Sequence, residues 1–193
     1  NAFMRDAPAP GTTAQEALYT LTDLGSHYLA GLLEHAQGMA VLCTPTLNGF
    51  GRFRPNALAP QAVLWGKDNR GAMLRVVGQA GDKATRIENR LGEPAANPYL
   101  YMASQIYAGL DGVERTLIPP LATDTPYGNA AAQQIPGNLA QALAALKVDQ
   151  ALNAALGQRF VSYLCRCKQS ELDRYAAADD KDDFQRREYF SRI

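Results

Sequence analysis

The chain has 193 residues, with 19 Lys and Arg against 19 Asp and Glu, zero formal net charge and 47% hydrophobic residues. That length supports one domain with a sizeable core, and balanced charge without a basic stripe argues against a nucleic-acid partner. No apolar run approaches the roughly 20 residues needed to cross a bilayer, and no signal-peptide pattern is visible.

Three cysteines, Cys43, Cys165 and Cys167, include a C-x-C pair. This is no disulfide framework and lacks zinc-ligand spacing. Free, buried thiols in a reducing compartment are expected, and with them a cytoplasmic location.

Residues 12–40 read as one long helix capped by Thr12 or Thr13. Leu18, Leu21, Leu24, Tyr28, Leu32 and Met39 recur near helical period. His27 and His35 are the only histidines. They stand about two turns apart, too far for a shared H-x-x-x-H metal site, so core or interhelical hydrogen bonding suits both. Residues 43–60 form a loop rich in Pro, Gly and Asn. It contains P-T-L-N (45–48), Arg52 and F-R-P-N-A-L-A-P (53–60).

Strands near 61–66, 72–78 and 84–91 follow. The first two are joined through K-D-N-R-G, and so short a connection predicts antiparallel pairing. On the third, residues two apart share a face, which aligns Arg86, Glu88 and Arg90 opposite Ile87 and Asn89. Arg70 and Arg75 lie just upstream. Guanidinium forks bind phosphate and carboxylate, and a carboxylate is a hard ligand for Mg²⁺ or Mn²⁺. The pattern fits a site for an anionic substrate beside a divalent cation. It equally fits a salt-bridged edge strand charged against aggregation. Spacing alone leaves both open.

Asn97-Pro98 opens a helix running to about Arg115, with Asn97 at the cap and Pro98 in the first turn. Ala96, Ala103, Ala108 and Gly109 permit close packing, while Tyr99, Leu100, Ile106, Tyr107 and Leu110 read as core. Residues 116–137, with Pro119, Pro120, Pro126 and Pro136, look irregular. Helical segments near 138–146, 149–175 and 184–192 follow, and the acidic run 178–183 reads as a solvated connector. There is no internal repeat, Walker A loop or G-x-G-x-x-G.

Several motifs recur here in a familiar order. N-R-G-A-M-L-R-V (69–76), R-I-E-N-R (86–90) and A-A-N-P-Y-L followed by G-L-D-G (95–112) resemble the C-terminal half of the glutamine synthetase catalytic domain. So do L-A-G-L-L-E-H-A (29–36), P-T-L-N, Arg52, the I-P-G-N-L-A-Q-A-L-A-A-L run (135–146) and the closing E-Y-F (188–190). The resemblance covers nearly the whole chain. W-G-K-D-N-R (65–70), F-R-P-N-A-L-A-P and C-K-Q-S-E-L (167–172) resemble glutamine synthetase-like ligases, including γ-glutamylpolyamine synthetases, more than ordinary glutamine synthetase.

This resemblance implies an α+β fold: antiparallel strands of a partial catalytic domain packed with helices, and a helical C-terminal part. Residues 1–193 would be the C-terminal portion of that domain, with the N-terminal domain and upstream catalytic half absent, and inactive alone. It further implies ATP and Mg²⁺ or Mn²⁺ as cofactors, glutamate and an amine or ammonia as substrates, and a full-length ring-shaped homo-oligomer with sites between subunits. By motif position, Arg52 and Arg90 match glutamate-carboxylate ligands, and Arg70 matches the arginine that stabilises the transferring phosphoryl group. Arg75 and Arg86 match nucleotide-phosphate contacts, Lys83 a basic position near the nucleotide, and Glu88 a metal ligand. One position departs from the family. Leu58 stands where ordinary glutamine synthetase carries a flap glutamate. Leucine has no acid–base chemistry, but it offers an apolar wall to an amine bearing hydrocarbon.

Overall fold

Thr22, rather than Thr12 or Thr13, caps the first described helix. The structure is a computed structural model that describes residues 2–5, 7, 21–54, 57–128 and 131–190. Thr12, Thr13 and Leu18 lie outside the described residues. Helix α1 spans Asp23–Glu34, and the Thr22 side chain accepts the Gly25 N–H. Helix α2 spans Ala36–Cys43, and the two meet at His35, whose φ of −93° and ψ of 8° break the expected continuous helix. Leu21 falls outside α1, in an antiparallel bridge with Met4. Leu24, in the first turn, is exposed instead of core.

Helix α3 spans Pro98–Glu114 with Asn97 as its cap and Pro98 in its first turn, as the sequence predicts. It meets α1 backbone to backbone. A Cβ on Gly31 would fall 2.1 Å from the carbonyl oxygen of Ala108, and one on Gly112 would fall 2.3 Å from that of His27. Ser104, Ala108, Gly109 and Gly112 are the buried side of α3. That small-residue seam turns the bulky residues outward. Tyr99, Ile106, Tyr107 and Leu110 are exposed, against the expectation of a core role, and only Leu100 packs against the core.

Strands β1 (Trp65–Lys67), β2 (Leu74–Val77) and β3 (Arg86–Asn89) form one sheet in that order. β2 and β3 pair antiparallel, as expected. β1 and β2 pair parallel, which overturns the antiparallel expectation. The reason lies in residues 68–73. Asp68 adopts a φ of 48°, the Asn69 side chain accepts the Gly71 N–H, and the Ala72 N–H bonds the Asn69 carbonyl. The chain doubles back to the start of β1, so Leu74 aligns with Trp65 rather than with Lys67.

Helices α4 (Leu139–Val148), α5 (Gln150–Leu156), α6 (Gln158–Ala177) and α7 (Lys181–Tyr189) complete the fold. The segment read as one helix over 149–175 breaks at Gly157, whose φ of 86° suits glycine. The acidic run is more than a connector. Asp180 caps α7 by accepting the Asp182 and Asp183 N–H groups, while Lys181 Nζ caps the end of α6 through the carbonyls of Tyr175, Ala176 and Ala178. Leu29, Met39, Met73, Leu74, Leu91, Leu143 and Leu146 are fully buried in one core, each leucine contributing about 1.5–3 kcal/mol.

All three cysteines are free, but only Cys43 is buried, while Cys165 is half-buried and Cys167 exposed. Residues two apart on a helix point to nearly opposite sides, so both sulfurs of the pair cannot share the core. Among the described residues, no helix is long and apolar enough to cross a membrane.

Candidate active site

Register builds the site. Arg75 lies opposite Glu88 across the antiparallel pair, so both side chains share one sheet face. Arg75 Nη1 donates to Glu88 Oε2 at 3.0 Å. Two residues further along that face, Arg90 Nη1 donates to Glu88 Oε1 at 2.7 Å. Arg75 also donates to Asp68 through Nε at 3.0 Å and through Nη2, and Arg90 Nη2 donates to the Leu58 carbonyl at 2.8 Å. The result is a continuous polar row: Asp68, Arg75, Glu88, Arg90 and the Leu58 backbone. The Asp68 hydrogen bond and charge raise the Arg75 pKa, and Arg75 in turn lowers that of Asp68.

β3 is therefore an edge strand laced with ion pairs, as one reading of the sequence has it. Burial adds something the edge-strand reading does not require. The Arg75 and Arg90 side chains are only 16% and 20% exposed, with Glu88 between them at 31%. An ionised carboxylate has about four lone-pair sites, and the two guanidiniums leave room on Glu88 for a cation. The donor chemistry fits one ligand position for a hard divalent ion, whose other ligands are commonly phosphates and water. Among the described residues, no cluster of three or more His, Cys, Asp or Glu side chains forms a metal cage.

Arg52 ends a 3₁₀ turn (Gly49–Arg52) and reaches the other end of this row. Its Nη2 donates to the carbonyls of Arg90 and Gly92, each at 2.9 Å, and to that of Leu91. Its guanidinium lies 4.6 Å from the Phe53 ring centroid. Burial lowers the Arg52 pKa, with Glu93 opposing. Among the described residues the buried Nε atoms of Arg52 and Arg90 have no hydrogen-bond partner, a state that costs free energy until an acceptor reaches them.

Thus the structure brings together Arg52, Arg75, Glu88, Arg90 and the backbone of Leu58. It does not draw in the other sequence candidates. Arg70 is exposed in the 68–73 loop and makes no hydrogen bond or ion pair among the described residues, and the same holds for Lys83. Arg86 is exposed, and among the described residues its side chain donates only to the Ala84 carbonyl. The Leu58 side chain is 60% exposed, and its backbone has a φ of 51°.

Sequence reasoning missed two carboxylates. Asp68 reads as a turn residue, yet it anchors Arg75. Glu93 accepts from the Thr46 hydroxyl at 2.8 Å and the Thr46 N–H at 3.3 Å. A Cβ on Gly49 would fall 2.3 Å from Glu93 Oε2, so the glycine of that loop is what admits the carboxylate. No local sequence signal marks this pair.

His35 bonds between helices, as expected, whereas His27 bonds a loop carbonyl beyond the end of α3. His27 Nδ1 contacts the Leu117 carbonyl at 2.7 Å. His35 lies between Asp149 and Asp111, each 2.8 Å from one ring nitrogen. A cavity of about 690 Å³ borders His35, Asp149 and Arg115 and includes none of the arginine row.

Residues 7–187 match the family model described as glutamine synthetase, catalytic domain. A γ-glutamylanilide synthase of an Acinetobacter species is 44% identical over 160 residues, covering 82% of this chain and 32% of the relative. A glutamine synthetase of Thermus thermophilus is 37% identical over 167 residues, covering 82% of this chain and 37% of the relative. The chain thus spans about a third of the length of these relatives. A solved structure of apo GmaS without ligand superposes with a TM-score of 0.77 at 31% identity, covering 98% of this chain and 41% of that one. A GmaS complex with ADP matches at 0.76 and 28% identity, covering 99% of this chain and 43% of that one. From the ordered motifs, the α+β fold and these matches together, the chain belongs to the glutamine synthetase catalytic-domain family.

Proposed function

We propose that this chain supplies one wall of an ATP-dependent ligase that joins glutamate to an amine through γ-glutamyl phosphate. The observation that carries the reading is the Arg75–Glu88–Arg90–Leu58 row, within a domain whose relatives include a γ-glutamylanilide synthase and a structure bound to ADP. The chemistry requires a carboxylate to approach a polyanion, so positive charge must be fixed in advance. Arg75 and Arg86 serve the nucleotide phosphates, with Lys83 near the nucleotide. Arg52 and Arg90 hold the glutamate carboxylate. Arg70, unpaired among the described residues, is available to the transferring phosphoryl group. Glu88 is one ligand of a Mg²⁺ or Mn²⁺ ion, which when bound supplies charge neutralisation and polarises phosphoryl oxygens.

An organic amine is the preferred acceptor, as Leu58 presents hydrocarbon where ordinary glutamine synthetase carries a flap glutamate, and a polyamine is among the candidates. The second reading is ammonia-using glutamine synthetase, supported by the Thermus relative. A catalytically silent assembly domain is disfavoured by the retained arginine row. The whole protein is proposed to be cytoplasmic and a ring-shaped homo-oligomer, to which this fold contributes one part of each site.

The test is phosphate release by the full-length enzyme with ATP, glutamate and a panel of ammonia, aniline and aliphatic mono- and polyamines. Glutamate-dependent turnover greatest with an organic amine is expected. Greatest turnover with ammonia favours the second reading, and no turnover with any acceptor favours the silent one.

A further inference from the structure

Three sequence motifs far apart along the chain meet at one point. They are P-T-L-N (45–48), C-K-Q-S-E-L (167–172) and E-Y-F (188–190). The Leu47 N–H donates to the Tyr189 hydroxyl at 2.9 Å, and that hydroxyl donates to Glu171 Oε1. Glu171 Oε2 accepts from Lys168 Nζ at 2.9 Å, and the same Nζ donates to the Pro45 carbonyl at 2.6 Å. The circuit is closed. It leaves the loop at residue 45, passes through α6 and α7, and returns at residue 47. Glu171 and Tyr189 are each 7% exposed, so little water competes for these bonds, and a partner lost from the circuit leaves a buried polar group unsatisfied.

From its other side the same loop is held by Glu93 through Thr46, and Thr46 Oγ1 in turn accepts the Gly49 N–H at 3.2 Å. Gly49 begins the 3₁₀ turn that ends at Arg52. The backbone between residues 45 and 49 is therefore fixed from both faces. That fixing sets where Arg52 leaves the chain. With Nη2 held by the carbonyls of residues 90–92, Arg52 has few N–H directions left for a carboxylate, and small displacements of a positioning element cost rate or affinity far out of proportion to their size.

We propose that Tyr189, Glu171 and Lys168 are positioning residues for Arg52, and that the C-terminal helix pair thereby sets the affinity of the site for glutamate. This rests on the reading of Arg52 as a glutamate ligand. Neither α6 nor α7 places a side chain in the arginine row; their contribution passes through the backbone of residues 45–49.

The experiment uses the full-length enzyme and compares Tyr189→Phe, Lys168→Met, Lys168→Arg, Arg52→Lys and Asp180→Ala. The last removes only the cap of α7 and serves as a control for loss of C-terminal stability. Each variant is measured for KM of glutamate, KM of ATP, kcat and thermal unfolding. Tyr189→Phe and Lys168→Met are expected to raise the glutamate KM about tenfold, through displacement of the loop that carries Arg52, with the ATP KM within about twofold. Lys168→Arg, which keeps a donor to both partners, is expected to restore most of the affinity. Asp180→Ala is expected to lower the unfolding temperature without moving the glutamate KM. If Tyr189→Phe does not fold, the two Lys168 variants carry the comparison. If Arg52→Lys raises the glutamate KM while Tyr189→Phe and Lys168→Met behave like Asp180→Ala, the positioning role is overturned and the reading of Arg52 stands. If Arg52→Lys leaves the glutamate KM unchanged, the reading of Arg52 fails and the positioning role fails with it.

Discussion

Arg75 and Glu88 face each other across the β2–β3 pair with guanidinium and carboxylate 3.0 Å apart, and the second oxygen of the same carboxylate is held by Arg90. Glu88 is thus tied from both sides and still 31% exposed. Glu88→Gln keeps the shape and removes the charge. In the full-length enzyme the half-saturating Mg²⁺ concentration is expected to rise by about tenfold or more, on the scale of lost metal-site interactions. Titration of ATP turnover with Mg²⁺ checks this. An unchanged midpoint removes Glu88 from the metal ligands.

Arg70 is expected to matter for rate and hardly at all for folding. It is exposed and makes no hydrogen bond among the described residues, so Arg70→Ala should leave the unfolding temperature near that of the parent. A donor that acts as charge develops is worth about 10²–10³ in kcat, with ATP binding affected much less. Kinetics with saturating glutamate measure this, and a near-normal kcat would dismiss Arg70 from the reaction.

Leu58 joins two effects. Its side chain is 60% exposed while its carbonyl receives Arg90. A hydrocarbon contact of one or two methylenes gives roughly 1–3 kcal/mol of discrimination. Leu58→Glu is expected to lower kcat/KM for the preferred organic amine and to raise ammonia-dependent activity, whereas Leu58→Ala lowers the first without the second. The ratio of kcat/KM for the two acceptors is the readout; a ratio unmoved by either substitution counts against an acceptor role.

His35 gives the fold a defined pH response. Both ring nitrogens face carboxylate oxygens at 2.8 Å, and a neutral imidazole has only one N–H to donate. Burial opposes the imidazolium, but the hydrogen bonds and charges of Asp149 and Asp111 outweigh it and raise the pKa. Burial likewise opposes the Asp111 carboxylate, and the hydrogen bonds from His35 and Arg115 outweigh it, lowering that pKa. Arg115 and Glu34 are the other charged groups facing this cluster. A raised histidine stabilises the fold fully below its unfolded pKa of about 6.5. That contribution fades as pH rises through the folded value. The lowered Asp111 contributes above its unfolded value of about 3.9 and is lost as pH falls through the folded one. Unfolding temperature measured from pH 5 to pH 9 for the parent and His35→Gln is expected to show a gap that narrows toward alkaline pH. A gap that widens would show that His35 is neutral in the folded protein.

Local chemistry made some of this legible in advance. Asn97-Pro98 marks its helix start without help from the rest of the fold, because cap and first turn are made within four residues. The two-residue spacing of Glu88 and Arg90 likewise fixes a shared face whatever the strand pairs with, whereas Arg86, in the same phase, stays out of the row. The parallel β1–β2 pairing was hidden, since it depends on Asp68 at a positive φ and on how one loop folds back. The partners of His35 lie 76 and 114 residues away, and no spacing rule reaches so far. The outward turn of Tyr99, Ile106 and Leu110 was also hidden: period identifies an apolar face, while the glycine contact between α1 and α3 decides which face is inside.

The clasp of Arg52 on the backbone of Arg90 bears on how accurately two charges can be spaced. Along the chain they are separated by 38 residues and a three-stranded sheet, a path in which every small bend would accumulate. One 2.9 Å hydrogen bond short-circuits that path. The Arg52 guanidinium is thereby referenced to the very backbone that carries Arg90, so the two arginines share one frame in place of two remote ones.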